Sequence, residues 1–236
     1  MQNLKTKKWV RILSPLSFFL FSCLLSAQTP FKKGNYFQVI TTLEPIKGEL
    51  WHNSILNERI PIVATSHQRS VAQKYADSAT IPFYGNRVDE EDQPIPDAIA
   101  QVPPNSSRLL LLFQKNKEPQ PNGLLYKVIS IKDDLESFPS GTFQFYNFSS
   151  SELGIYIDKK NKLLAPKKQT IIPVSPPKIG DIWVKMVVIK EKKPIQMVYS
   201  NGWYHRENLR TLVFIIQDPK TGRIKPIRIK QTIVKS

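Results

Sequence analysis

The chain has 236 residues, with 34 Lys and Arg against 19 Asp and Glu, a formal net charge of +15, 19 prolines and a single cysteine. That length suits one large or two small domains, and the many prolines with short β-rich runs exclude a long-helix architecture. One cysteine excludes an internal disulfide framework and Cys-based zinc sites.

The chain opens with "MQNLKTKKWVRILSPLSFFLFSCLLSAQTP". Lys5, Lys7, Lys8 and Arg11 form a positive region, Ile12 to Leu25 is almost wholly apolar, and Ser26–Ala27 offers a small-residue cleavage site. That order of parts is a secretory signal peptide over residues 1–27, so the protein is expected in the periplasm or outside the cell. An apolar run of about 14 residues falls short of the roughly 20 that span a bilayer, so no transmembrane span is expected in the mature protein. An alternative reads Cys23 of "LFSC" as the lipidated residue of a bacterial lipoprotein, although Phe21 and Leu24–Leu25 suit that motif poorly. Cleavage after Ala27 leaves 209 residues (236 less 27) and no cysteine, and removing four cations takes the formal charge from +15 to +11. Such a balance favours an anionic envelope polymer or another envelope protein as partner, and export argues against nucleic acid. The basic residues are spread rather than clustered, a pattern that also serves solubility alone.

Beyond the leader, strand-like runs follow at Phe37–Leu43, Ile60–Thr65, Ile81–Tyr84, Arg108–Gln114, Leu124–Ile131, Thr142–Phe148 and Leu153–Asp158. Gln169–Val174, Asp181–Lys190, Ile195–Ser200, Arg210–Gln217 and Ile224–Ile233 complete the set, so the fold class is all-β. Only "HQRSVAQKYADS" has a pattern that a short helix would accept. "RVDEEDQPIPDAIAQVPPNSS", residues 87–107, reads as the longest structureless run. Its Asp89, Glu90, Glu91 and Asp92 are expected to form a solvated acidic loop, because consecutive carboxylates repel and rarely wrap one cation.

"RLLLLFQKNKEPQPNGLLYKVISI" has the layout of "RTLVFIIQDPKTGRIKPIRIK", with Arg108 matching Arg210 and Gln114 matching Gln217. Upstream, "ERIPIVATSHQRS" parallels "KKQTIIPVSPPKIG", and "IPFYGN" parallels "IQMVYSNG". The expected architecture is therefore two tandem immunoglobulin-like β-sandwich modules, residues 31–135 and 138–236, with one large sandwich as the alternative. In "GTFQFYNF", alternation sets Phe143 and Phe145 on one face and Tyr146 and Phe148 on the other. "LGIYID" is expected to be its hairpin partner, and the stretch is expected to be core rather than a ligand platform. "RTLVFIIQ" is apolar on both faces, so it reads as a central strand. Its hairpin partner carries Pro226, which marks an edge strand.

"FQFYNFSSSELGIYID", "LLAPKKQTIIPV" and "MVYSNGWYHRENLRTLVFI" together resemble uncharacterised secreted bacterial β-sandwich proteins of the domain-of-unknown-function kind. The resemblance covers about Phe138 to Gln217 and implies an envelope or extracellular location, with no catalytic residue to carry over. No phosphate-binding loop, nucleophile elbow or HExxH helix occurs, and His52, His67 and His205 stand far apart, so neither enzyme activity nor a metal or cofactor is expected.

The segment with most chemistry is "YSNGWYHRENLR". Asn201–Gly202 signals a tight turn, after which Trp203, Tyr204, His205 and Arg206 bring two aromatics, an imidazole and a guanidinium together. Such a corner holds an acidic sugar by stacking and charge-assisted hydrogen bonds. The competing reading makes Trp203 a plug over the core and pairs Arg206 with Glu207. "NSS" at Asn105 and "NFS" at Asn147 match glycosylation sequons. The expectation is an exported, non-enzymatic structural or interaction protein, the alternative being a binding module for acidic carbohydrate or envelope polymer.

Overall fold

The computed structural model describes residues 34–42, 44–116, 118–174 and 179–233, so the expected leader and Cys23 lie outside the described residues. Alternating apolar positions and frequent turn residues yield strands and no helix among them. In the first half these are β1 (Tyr36–Thr41), β2 (Ile46–Asn53), β3 (Arg59–Ala64), β4 (Gln73–Lys74), β5 (Thr80–Val88), β6 (Pro94–Gln101), β7 (Arg108–Lys115) and β8 (Tyr126–Lys132). In the second half they are β9 (Thr142–Asn147), β10 (Glu152–Ile157), β11 (Lys160–Leu164), β12 (Gln169–Pro173), β13 (Gly180–Lys190), β14 (Lys193–His205), β15 (Leu209–Gln217) and β16 (Ile224–Thr232).

They form four sheets of four strands, ordered β3-β2-β5-β6, β4-β1-β7-β8, β12-β9-β15-β16 and β11-β10-β13-β14. Each half builds its own two sheets, and adding eight to every strand number of the first pair reproduces the second. β1 runs parallel to β7, as β9 does to β15, while every other pairing is antiparallel. The two-sheet modules are tandem and immunoglobulin-like in size and architecture.

Three apolar layers hold the four sheets. Phe37, Leu50, Phe83, Leu111 and Phe113 fill the first sandwich; Phe143, Phe145, Leu153, Ile155, Val184 and Trp203 fill the second. A third layer joins the modules, because the outward faces of β7 and β15 are apolar too. Leu110 and Leu112 meet Leu212, Phe214 and Ile216 there, with Ile40, Ile131, Phe138, Ile227 and Ile229 around them. β15 is thus central and covered on both faces, and Pro226 sits on edge strand β16 opposite Ile215.

A buried ion cluster fastens the connection between modules. Asp133 takes a bidentate hydrogen-bonded pair from Arg69 at 2.5 and 3.0 Å, and Arg210 Nη2 approaches its Oδ2 at 3.1 Å. Arg210 also donates to the carbonyls of Asp133, Asp134 and Phe138 and to Gln231 Oε1. Burial pushes its pKa down to about 10, an effect partly opposed by the Asp133 carboxylate.

Several expectations require correction. Residues 94–101 are strand β6, and Asp89 to Asp92 form the exposed β5–β6 turn, with Asp89 Oδ1 accepting from the N–H groups of Glu91 and Gln93. Gln73–Lys74 is the short strand β4, so "HQRSVAQKYADS" is no helix. β9 and β10 are not hairpin partners; they lie in different sheets and face each other across the second core. Asn147 turns the chain between them, fully buried, its Nδ2 donating to the carbonyls of Ser151 and Leu164, which leaves that sequon inaccessible in the folded chain. Of the repeat matches, only the one pairing β7 with β15 joins equivalent strands. "ERIPIV" is β3 and "QTIIP" is β12, while "IPFYGN" belongs to β5 and "IQMVYSNG" to β14.

Candidate functional site

β14 explains where the aromatic segment goes. The expected tight turn at Asn201–Gly202 is absent, because both residues lie inside this strand, paired with Val184 and Trp183. The hairpin instead turns at Glu191–Lys192, both left-handed at φ 50° and 62°, the geometry of a two-residue loop that matches strand twist. Trp203, Tyr204 and His205 are therefore consecutive strand residues and alternate between faces.

Trp203 and His205 point inward. Trp203 is 1% exposed, packs against Phe143, Phe145 and Tyr199, and donates from Nε1 to Tyr199 Oη at 2.7 Å. His205 is equally buried against Phe143, neither ring nitrogen has a partner among the described residues, and burial lowers its pKa. Arg206 donates from Nη2 to Thr232 Oγ1 at 2.9 Å rather than pairing with Glu207. The four residues do not converge on a corner; three of them serve the core and its rim.

Tyr204 faces the other way, 46% exposed, on the outer surface of β11-β10-β13-β14. Trp183 on β13 is 64% exposed on the same face, and Tyr156 on β10 is 36% exposed. Register aligns them: Tyr204 lies opposite Asp181, Trp183 is two residues further along β13, and Tyr156 lies opposite Lys185, two residues further again. The three rings therefore step diagonally across adjacent strands at about 7–8 Å intervals.

One glycine helps lay a ring down. Trp183 sits opposite Gly202, and its ring carbons lie 3.7 Å from where a Gly202 Cβ would stand. Tyr156 Cε2 comes within 3.2 Å of a Gly154 Cβ position, with Val187 and Ile189 equally close. The Tyr156 ring can thus lie against the bare backbone of Gly154, whereas the Trp183 ring would be in ordinary contact with a side chain at residue 202. Lys185 Nζ stands 6.0 Å over the Tyr156 ring, adding a cation to the face.

Sequence reasoning identified Tyr204 but missed Trp183 and Tyr156. Their signal was strand parity: Ile182, Val184 and Met186 claim the core and leave Trp183 and Lys185 outside on β13, and Leu153, Ile155 and Ile157 do the same for Tyr156 on β10. No three His, Cys, Asp or Glu side chains among the described residues could hold a metal ion, and no helix there is long and apolar enough to cross a membrane. No protein-family model matches the chain, and no curated protein matches it.

Proposed function

We propose that the protein is an exported, non-enzymatic interaction protein of the cell envelope or extracellular space, and that it holds acidic polysaccharide on the outer face of its second module. The observation that carries this reading is the diagonal of solvent-facing rings Tyr204, Trp183 and Tyr156 with Lys185 beside them. A pyranose ring presents C–H groups on its flat faces, and an exposed indole or phenol offers a surface for them to stack on. Three rings on a diagonal fit a chain of sugars better than a single one. The excess of basic residues adds long-range attraction for an acidic polymer.

Affinity electrophoresis through gels containing polygalacturonate tests the reading. The wild-type chain is expected to be retarded, and Trp183→Ala to run at its unretarded mobility while its melting temperature changes little, because an exposed side chain contributes little to stability. Lys185→Gln is expected to reduce retardation chiefly at low salt, since exposed charges are screened over about 8 Å at physiological ionic strength. Trp203→Ala, by contrast, removes a buried indole and is expected to cost about 3–5 kcal/mol of stability. Equal mobility of wild type and Trp183→Ala in acidic and neutral polysaccharide gels alike would overturn the proposal.

A further inference from the structure

A second surface lies where the two modules meet. β8 is the edge of its sheet, and the facing sheet extends beneath it to β9 and β12. Past the packed layer of Phe214 and its neighbours a cleft of about 830 Å³ opens between them, within the range of sites for small ligands.

Its charge is one-sided. Lys127 at the start of β8 and Lys167 and Lys168 in the turn before β12 stand at one end, Lys132 lies five residues further along β8, about 17 Å away, and no aspartate or glutamate is in the lining. None of these lysines forms an ion pair among the described residues. The turn is rigidly held: Lys167 N–H donates to the Asn147 carbonyl at 2.8 Å, and Asn147 N–H donates to the Lys168 carbonyl at 3.0 Å. Lys167 is left-handed at φ 61°, which breaks the strand alternation that would otherwise send adjacent lysines to opposite sides.

Beside the cations runs an apolar strip of Ile129, Ile131, Tyr146, Phe148 and Ile171. Gln144 Nε2 donates to Tyr146 Oη at 3.0 Å, so the phenol's own hydrogen is free to donate. Burial, with Asp133 adding to it, raises the Tyr146 pKa and keeps that hydrogen in place. Three cations and a phenolic donor against an apolar strip are complementary to an anionic head joined to a hydrocarbon body.

We infer that the inter-module cleft binds a single-chain anionic amphiphile, its phosphate or carboxylate at Lys127, Lys167 and Lys168 and its chain along the strip. This site is separate from the outer aromatic face and stands or falls independently of it. Uncompensated cations in a concave wall raise the local anion concentration, while the strip gains from apolar area removed from water.

The test is calorimetric titration of the full chain with dodecyl phosphate below its micelle concentration, with dodecanol and inorganic phosphate as comparators. Saturable binding at one site per chain is expected, with each comparator at least tenfold weaker. Lys167→Gln/Lys168→Gln, a pair of changes on a solvent-reachable rim, is expected to weaken dodecyl phosphate at least tenfold. Lys127→Gln on the opposite wall should weaken it as well, so misfolding of one variant leaves the other as a test. Trp183→Ala should bind the amphiphile as wild type does. Equal affinity for dodecanol would remove the charge argument, and equal affinity for inorganic phosphate would remove the apolar one; either result overturns the proposal. So would non-saturating uptake or unchanged affinity in folded lysine variants.

Discussion

At the scale of single residues, the histidines show how burial is tied to acidity. Among the described residues His205 has no partner for either nitrogen, while His52 donates from Nε2 to Gln73 Oε1. Burial lowers both pKa values below the ordinary 6.5. Well above that pH neither the folded nor the unfolded chain carries the charge, so the histidines contribute no pH dependence there. As pH falls through 6.5, the unfolded chain takes up protons that the folded chain refuses, and stability drops until the lowered folded values are passed. The melting temperature is therefore expected to fall between about pH 7.5 and pH 5.5. His205→Leu should make that fall smaller, even if its starting value differs. An unchanged slope across the same interval would assign the acid sensitivity to other groups. The aromatic segment is decided at this scale as well: moving one residue along β14, from Trp203 to Tyr204, exchanges the core for solvent. Sequence alternation makes the two faces legible but not their assignment, because a register shift of one reverses both.

At the scale of elements, the strands that the sequence announced are those with β-branched or aromatic runs, such as β7, β9, β13 and β15. Those it concealed break the rule for an identifiable reason. β6 carries Pro94 and Pro96, yet it is an edge strand with register shifts against β5, where missing N–H groups are tolerated. Its Asp97 is buried because Arg87 pairs with it through Nε, while Arg87 Nη2 donates to the Pro96 carbonyl at 2.8 Å. That pair uses space left by Gly85 on β5. A Cβ at residue 85 would run into Asp97 Oδ2 and come within 3.2 Å of its Cγ. Gly85→Ala is therefore expected to displace the carboxylate from Arg87 and cost about 1–3 kcal/mol, as overpacked sites do. Urea melts check this, with Gly202→Ala as the comparison: there the nearest side-chain atom is 3.6 Å away, an ordinary contact. Equal losses at both positions would show that β-strand propensity, not the ion pair, sets the cost. β2 and β11 were concealed for a plainer reason, their runs being interrupted by Gly48 and Glu49 in one and by charged Lys160 and Lys162 in the other.

At the scale of the whole molecule, the repeat was legible in outline because β7 and β15 carry the same two-sided apolar pattern after an arginine. What that pattern means needed the partner sheet. In an isolated sandwich the outward face of β15 would meet water; here Leu212, Phe214 and Ile216 meet Leu110 and Leu112 of the other module. The arginine has the same logic, since Arg210 is fully buried only because Asp133 and the carbonyls of the connection lie over it. The inter-module cleft was unreadable for the same reason: its two walls are far apart in sequence and nothing local links Lys127 to Lys167. The second module owns a complete core between its sheets, so residues 137–236 alone should still fold. Separation, however, uncovers Leu212, Phe214, Ile216, Ile227 and Ile229 as one contiguous patch and removes Asp133 from Arg210. Exposed apolar patches of that kind drive association. The fragment is expected to melt cooperatively at a lower temperature than the full chain and to self-associate as its concentration rises. Thermal melts and sedimentation at several concentrations read both properties. A monomeric fragment as stable as the full chain would mean that the layer between modules contributes nothing. A molten fragment would mean instead that the second core cannot form without the first module against it.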